Sequence, residues 1–231
     1  MKRIIVLTGA GISAESGLKT FRGSNGLWEG HDVTEVASPQ GFAKNPDLVL
    51  RFYNERRAQA LQAHPNAGHL GLVELEKHFE VHIITQNIDD LHERAGSSNV
   101  LHLHGEIRKV RSTTDPSYII ETDGDIHVGD LAPDGGQLRP HIVWFGEQVP
   151  MIVPAAQLMS MADIAVVVGT SLVVYPAAGL LDYAPSGTPI FVVDPHKPQI
   201  SHLPNVEYIV EPASSGIPLL IEKLFQEHKI Q

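Results

Sequence analysis

Five short runs of aliphatic, largely β-branched residues, at positions 4–7, 81–85, 164–168, 190–193 and 206–210, constrain this chain more than any other feature. Runs of that length, bounded by turn residues, are strands buried on both faces, as in parallel sheets covered by helices on either side. Segments with helical patterns separate them, at 46–63, 67–77, 154–161 and 215–227. The alternation predicts an α/β fold built on a doubly wound parallel sheet. Two stretches interrupt it. Residues 27–65 read as mainly helical, whereas 106–137 is polar, rich in Asp and Gly and weakly periodic. Both are expected to pack beside the sheet as inserted modules.

Composition narrows the function. With 17 Lys and Arg against 27 Asp and Glu the net charge is −10, which repels phosphate backbones and anionic lipid and argues against nucleic-acid or membrane partners. No apolar run approaches the ~20 residues of a membrane-spanning helix, and the one near the start is too short for a signal peptide. The chain contains no cysteine. That removes disulfides, thiolate zinc sites and cysteine nucleophiles, and fits a cytoplasmic setting.

Polar residues gather where the runs end. Gly9-Ala10-Gly11-Ile12-Ser13 follows the first, and a glycine pair there lets the backbone turn tightly and approach a pyrophosphate beside a helix N-terminus. A ligand-free tight turn is the alternative. Thr85-Gln86-Asn87-Ile88-Asp89 follows the second run and carries more hydrogen-bonding capacity than a turn requires. In Leu101-His102-Leu103-His104-Gly105 alternation puts both histidines on one face. His104, before a glycine at a strand end, suits a general base. A structural histidine and a His102/His104 metal pair are the alternatives, but no third ligand stands at a recognisable spacing, so no metal site is expected. Val143, Trp144 and Phe145 could wall an apolar pocket, pack in the core or dock a peptide, and Gly169-Thr170-Ser171 ends a further run. Asp194 ends the next, placed either to accept from ribose hydroxyls or to turn the chain before Pro195.

In their order, these pieces resemble the sirtuin family: Gly9 to Ser13 with Ser16-Gly17 and Phe21-Arg22-Gly23, Thr85 to Asp89, His104-Gly105, Arg139-Pro140 with Val143 to Glu147, and Gly169-Thr170-Ser171-Leu172. The resemblance implies a protein-lysine deacylase that uses NAD as co-substrate and yields nicotinamide and 2′-O-acyl-ADP-ribose. It implies an NAD-binding Rossmann-like domain of residues 1–26, 66–105 and 138–231, and a small domain of 27–65 and 106–137. By the same resemblance His104 is the base, with Asn87 and Asp89 in the nicotinamide pocket. Gly9, Ala10, Gly11, Arg22, Gln86, Gly169, Thr170, Ser171 and Asp194 contact NAD. Val143 and Phe145 border an acyl-lysine tunnel, and the backbone near Glu147 pairs with substrate peptide.

Most sirtuins hold zinc with four cysteines in the small domain, and this chain has none. Apolar packing by Val110, Tyr118, Ile119, Ile120, Ile126, Val128 and Leu131 is expected to replace the metal. On the helical segment at 46–63, Val49, Tyr53, Arg56 and Ala60 share one stripe. A guanidinium facing a cleft asks for an anion, and a Tyr hydroxyl adds a hydrogen bond. Tyr-x-x-Arg here resembles the pair with which one sirtuin subgroup recognises malonyl-, succinyl- or glutaryl-lysine. The expected activity is therefore removal of acidic acyl groups with some deacetylation. Mono-ADP-ribosyl transfer and NAD or ADP-ribose sensing without turnover are the alternatives.

Overall fold

The structure, a computed structural model, describes residues 1–19, 27–28, 30–198 and 205–230. The chain opens with β1 (Arg3–Thr8) and the short helix α1 (Ala10–Ala14), then the hairpin of β2 (Leu27–Trp28) and β3 (His31–Asp32). Helices α2 (Val33–Val36), α3 (Pro39–Lys44), α4 (Pro46–Gln62) and α5 (Ala67–Leu75) lead to β4 (Glu80–Thr85), α6 (Leu91–Ala95) and β5 (Val100–His102). Next come β6 (Gly105–Ser112), β7 (Ile119–Glu121), β8 (Leu138–Ile142), α7 (Ile152–Met159) and β9 (Ile164–Val168). A 3₁₀ helix (Ala177–Tyr183), β10 (Ile190–Val193), β11 (Val206–Ile209) and α8 (Ala213–His228) complete it.

Among the described residues six strands form one parallel sheet in the order β11-β10-β9-β1-β4-β5. The doubly wound expectation is met. Alternate residues of β1 feed two cores. Ile4 and Val6 pack with Leu72 and Leu75 of α5 and Ile217, Leu220 and Leu224 of α8. Ile5 and Leu7 pack with Ala155 and Met159 of α7 and Leu180 of the 3₁₀ helix. With both faces covered, the strands need apolar residues at successive positions, which is why they read as runs. The chain moves outward from β1 in one direction through β4 and β5, then in the other through β9, β10 and β11. The sheet order thus reverses at β1, and a crevice opens beyond its carboxyl end.

The inserted segments differ from expectation in one respect. Residues 106–137, read as weakly periodic, include most of β6, which pairs antiparallel with β7 and β8. Glu106, Arg108, Lys109 and Arg111 are its half-exposed positions, so its alternation was masked by charge. The apolar substitute for zinc is largely corrected. Val110 and Ile126 are buried with Leu50, but Ile119, Ile120, Val128 and Leu131 are exposed. Polar ties hold this region instead. Ser112 Oγ donates to the Asp134 carboxylate (2.9 and 2.8 Å) and accepts from the amide of Thr114 (3.0 Å). Arg57, 1% exposed, donates to the carbonyls of Ile107 (2.9 Å) and Gly124 (3.1 Å) and to Asn54 Oδ1 (2.9 Å). Asn54 in turn donates to the Ile126 carbonyl at 2.9 Å. Loop carbonyls taken from water must be paired, and one guanidinium can pair several.

Among the described residues no group of three or more His, Cys, Asp or Glu could hold a metal ion. No helix among them is long and apolar enough to cross a membrane.

Candidate active site

Two glycine loops meet in the crevice. Gly9 N donates to the Val168 carbonyl (3.0 Å) and Gly11 N to that of Gly169 (2.8 Å). A Cβ on Gly11 would lie 2.6 Å from Gly169 Cα, and Gly169 itself adopts φ 62°. Close approach of two backbones, beyond any ligand, therefore requires glycine at both positions. The following helix α1 is only five residues long.

The loop after β4 is anchored to the first. Asn87 donates its backbone N–H to Thr85 Oγ1 (3.0 Å) and its Nδ2 to the Gly9 carbonyl (3.2 Å) and Ser13 Oγ (3.1 Å). Ser13 Oγ donates to Asp89 Oδ2 (3.0 Å), while Leu91 N donates to Oδ1 (3.2 Å). Burial pushes the Asp89 carboxyl up, and the Leu91 amide, the Ser13 hydroxyl and the charge of His102 oppose that rise. Gln86 Nε2 reaches across to Thr170 Oγ1 at 3.1 Å.

His104 Nδ1 lies 3.0 Å from the Gln86 carbonyl. A carbonyl only accepts, so Nδ1 carries the proton and Nε2 of the neutral ring keeps its lone pair. Burial lowers the His104 pKa, with the Gln86 hydrogen bond opposing. The ring thus has the tautomer that a general base would need. His102 Nδ1 likewise faces a carbonyl, that of Asn87, at 3.1 Å. Both Nδ1 atoms are thus taken by backbone carbonyls, and His102 Nε2 meets Glu93 Oε1 at 2.7 Å.

The opposite wall comes from α4 and the segment after β8. Tyr53 is wholly buried, and its oxygen accepts from Trp144 Nε1 at 3.0 Å. Burial raises the phenol pKa, so the hydroxyl keeps its own proton to donate. The Trp144 indole lies 3.3 Å beneath the Arg139 guanidinium. Arg139 grips Glu147 with both terminal nitrogens (2.7 and 3.1 Å), and Glu147 Oε2 accepts from Trp144 N at 2.8 Å. Val143 N donates to the His104 carbonyl at 2.9 Å, joining this wall to the strand end that carries His104.

Together these parts enclose a cavity of about 320 Å³. Gly9, Ala10, Gly11, Gly169, Thr170 and Ser171 line it from the two glycine loops. Gln86, Asn87, Asp89 and His104 line it from the segments after β4 and β5, and Tyr53, Arg56, Val143 and Phe145 from α4 and the segment after β8. Asp194 is not among the lining residues. Buried at the end of β10, it accepts from His196 N at 2.8 Å, the turn arrangement. Arg22 lies outside the described residues. Sequence reasoning assigned Ser13 no role of its own and left Trp144 between pocket wall, core and peptide-docking edge. Ser13 stood in the glycine motif and Trp144 beside Val143, but their partners are 76 and 91 residues away. No local pattern encodes such pairings.

Known proteins are similar to this chain in sequence and fold. The Sir2 family model matches residues 9–176. An NAD-dependent protein deacylase of Helicobacter pylori is 54% identical over 98% of this chain and 99% of its own length. One of Bacteroides thetaiotaomicron is 52% identical over 97% and 98%. A solved Sir2 homologue–NAD complex superposes with TM-score 0.88 at 38% identity, covering 98% of this chain and 90% of that one. A Sir2–p53 peptide–NAD⁺ structure gives 0.77 at 30% identity, covering 99% and 94%.

Proposed function

The chain belongs to the Sir2 family and is an NAD-dependent protein deacylase, and within that chemistry we propose that it prefers lysines bearing malonyl, succinyl or glutaryl groups while retaining some deacetylase activity. The carrying observation is that Tyr53 and Arg56, one helical turn apart on α4, line the same cavity as His104, Val143 and Phe145. A carboxylate at the far end of an acyl chain would meet a guanidinium and a protonated phenol. Such charge-assisted hydrogen bonds are the strong ones.

The residues fit NAD as co-substrate. Backbone at Gly9, Gly11 and Gly169 packs too closely for a Cβ on Gly11 or Gly169, while Gln86, Asn87 and Asp89 offer the amides and carboxylate that suit a nicotinamide carboxamide. Ala10, Thr170 and Ser171 complete the cradle, with Arg22 and Asp194 assigned to NAD by family resemblance. NAD supplies the ADP-ribose that accepts the acyl group as nicotinamide leaves. His104 Nε2 takes a proton from a ribose hydroxyl, Asn87 and Asp89 orient the nicotinamide end, and Val143 and Phe145 keep water from the acyl-lysine. The peptide docks along residues 143–147, so substrates are acylated proteins or peptides. Residues 27–65 and 106–137 act as the small domain over this cleft. The cysteine-free composition favours a cytoplasmic site of action.

The test is kcat/KM on matched acetyl-, succinyl- and glutaryl-lysine peptides with NAD, products read by mass spectrometry, for wild type and Arg56→Met. Wild type is expected to favour the acidic groups, and Arg56→Met to lower their kcat/KM by roughly tenfold or more, as loss of a hydrogen bond between charged groups does, while sparing deacetylation. Equal turnover of all three peptides by wild type would refute the preference. A product mass showing ADP-ribosylated peptide would replace deacylation with ADP-ribosyl transfer.

A further inference from the structure

His102 and His104 stand on the same side of one strand end, and their Nδ1 atoms hold consecutive carbonyls, Asn87 (3.1 Å) and Gln86 (3.0 Å). Only His104 lines the cavity. His102 turns its other nitrogen to Glu93 of α6, with Nε2 2.7 Å from Oε1, and its side chain is 9% exposed. Carbonyl and carboxylate oxygens both accept, so the ring bridging them carries a proton on each nitrogen. One imidazolium thereby links Asn87 to Glu93, closing the segment that contains Asp89.

We infer that His102 is a positioning residue for deacylation: protonated and paired with Glu93, it fixes the Asn87 peptide and lends positive charge to buried Asp89, so its deprotonation sets the alkaline limit of activity as protonation of His104 sets the acid limit. The inference rests on the reading of Asn87, Asp89 and His104 as the reacting end of the cavity.

The surroundings agree. Burial opposes charge on His102, but the hydrogen bond and charge of Glu93, with Glu106 on β6 and the Asn87 carbonyl, outweigh it and raise its pKa. Burial likewise opposes the Glu93 carboxylate, and the hydrogen bond from His102 prevails and lowers it. Asp89, after β4, is a further carboxylate in the field of His102. His92 on α6 is held neutral, burial above all and the charge of His102 keeping its pKa well below the ordinary value. Lys109 acts on Glu93 from β6. The two histidines thus shift in opposite directions, which leaves a pH window with His104 free to accept and His102 charged.

The experiment measures kcat against pH with an acetyl-lysine peptide and saturating NAD for wild type, Glu93→Gln and His102→Asn, together with ¹⁵N NMR titration of the His102 ring. Glu93→Gln keeps an acceptor for Nε2–H and removes the charge. It is expected to move the alkaline limb and the His102 titration to lower pH together while leaving the acid limb in place. His102→Asn keeps an amide donor for the Asn87 carbonyl but cannot titrate. It is expected to lose the alkaline limb, with kcat roughly tenfold below the wild-type maximum, the effect of losing a charged hydrogen bond. An alkaline limb that stays put in both variants, or a His102 titration unmoved by Glu93→Gln, overturns the inference. If His102→Asn does not fold, Glu93→Gln decides alone, since Glu93 is half exposed. His104→Asn is the control for the underlying reading: should it retain full turnover, the site assignment fails rather than the role of His102.

Discussion

A buried histidine does what its hydrogen-bond partner allows. The Gln86 carbonyl fixes the proton of His104 on Nδ1, so the cavity receives a lone pair. His104→Asn is expected to lower deacylation by roughly 10²- to 10⁴-fold, the span of general-base catalysis, while NAD binding measured by calorimetry is retained. His69 carries a different consequence. Wholly buried, it is lowered by burial from 6.5 to about 4. The unfolded chain binds a proton at this ring below pH 6.5 and the folded chain does not until about 4. Stability therefore falls as pH drops through that interval, by about 3 kcal/mol for a shift of this size. The melting temperature from neutrality to acid should decline, and His69→Gln should flatten the decline. The sequence disclosed His104 because a histidine before a glycine at a strand end is a local sign. It could not disclose that His102, two residues earlier and chemically identical, does not line the cavity, since that depends on Glu93 and on which carbonyl each ring meets.

The strands were legible where burial on both faces demanded one kind of residue. β9 and β10 coincide with their apolar runs. Where one side of a strand meets solvent or charge, as in β6, the pattern dissolved into Arg and Lys. The glycine loops show a subtler limit. The motif pointed to a phosphate-binding turn, whereas the packing shows that Gly11 must also admit Gly169. Gly11→Ala is accordingly expected to do more than crowd a ligand. Its Cβ would meet the Cα (2.6 Å), carbonyl oxygen (2.7 Å) and carbonyl carbon (2.9 Å) of Gly169, backbone with no flexible side chain to displace. The loops after β1 and β9 must separate, and NAD affinity should fall at least tenfold while far-ultraviolet circular dichroism is preserved. Affinity equal to wild type would mean that the two loops part without disturbing the cradle.

At the scale of the molecule, the module holding one wall of the cavity is stabilised without thiolates. The expectation that aliphatic side chains fill the gap fails because Ile119, Ile120, Val128 and Leu131 face outward. Arg57 replaces them by pairing the carbonyls of Ile107 and Gly124 and the Asn54 side chain from within α4. That helix also carries Tyr53 and Arg56, so one buried cation joins the fold of the module to the shape of the cavity wall. Removing it strands several buried acceptors, each costing about 1–3 kcal/mol. Arg57→Met should lower the melting temperature and raise KM for acidic acyl peptides more than for acetyl peptide, while NAD affinity, which we assign to the glycine loops, is retained. A chelator should change neither melting temperature nor kcat of wild type, because the ties are hydrogen bonds. If chelation instead reproduces the Arg57→Met phenotype, a bound metal and not this arginine holds the wall in place. If Arg57→Met leaves every KM unchanged, α4 keeps its position through Tyr53 and Phe52, which pack with Val36, Ile107 and Trp144 in the adjoining core.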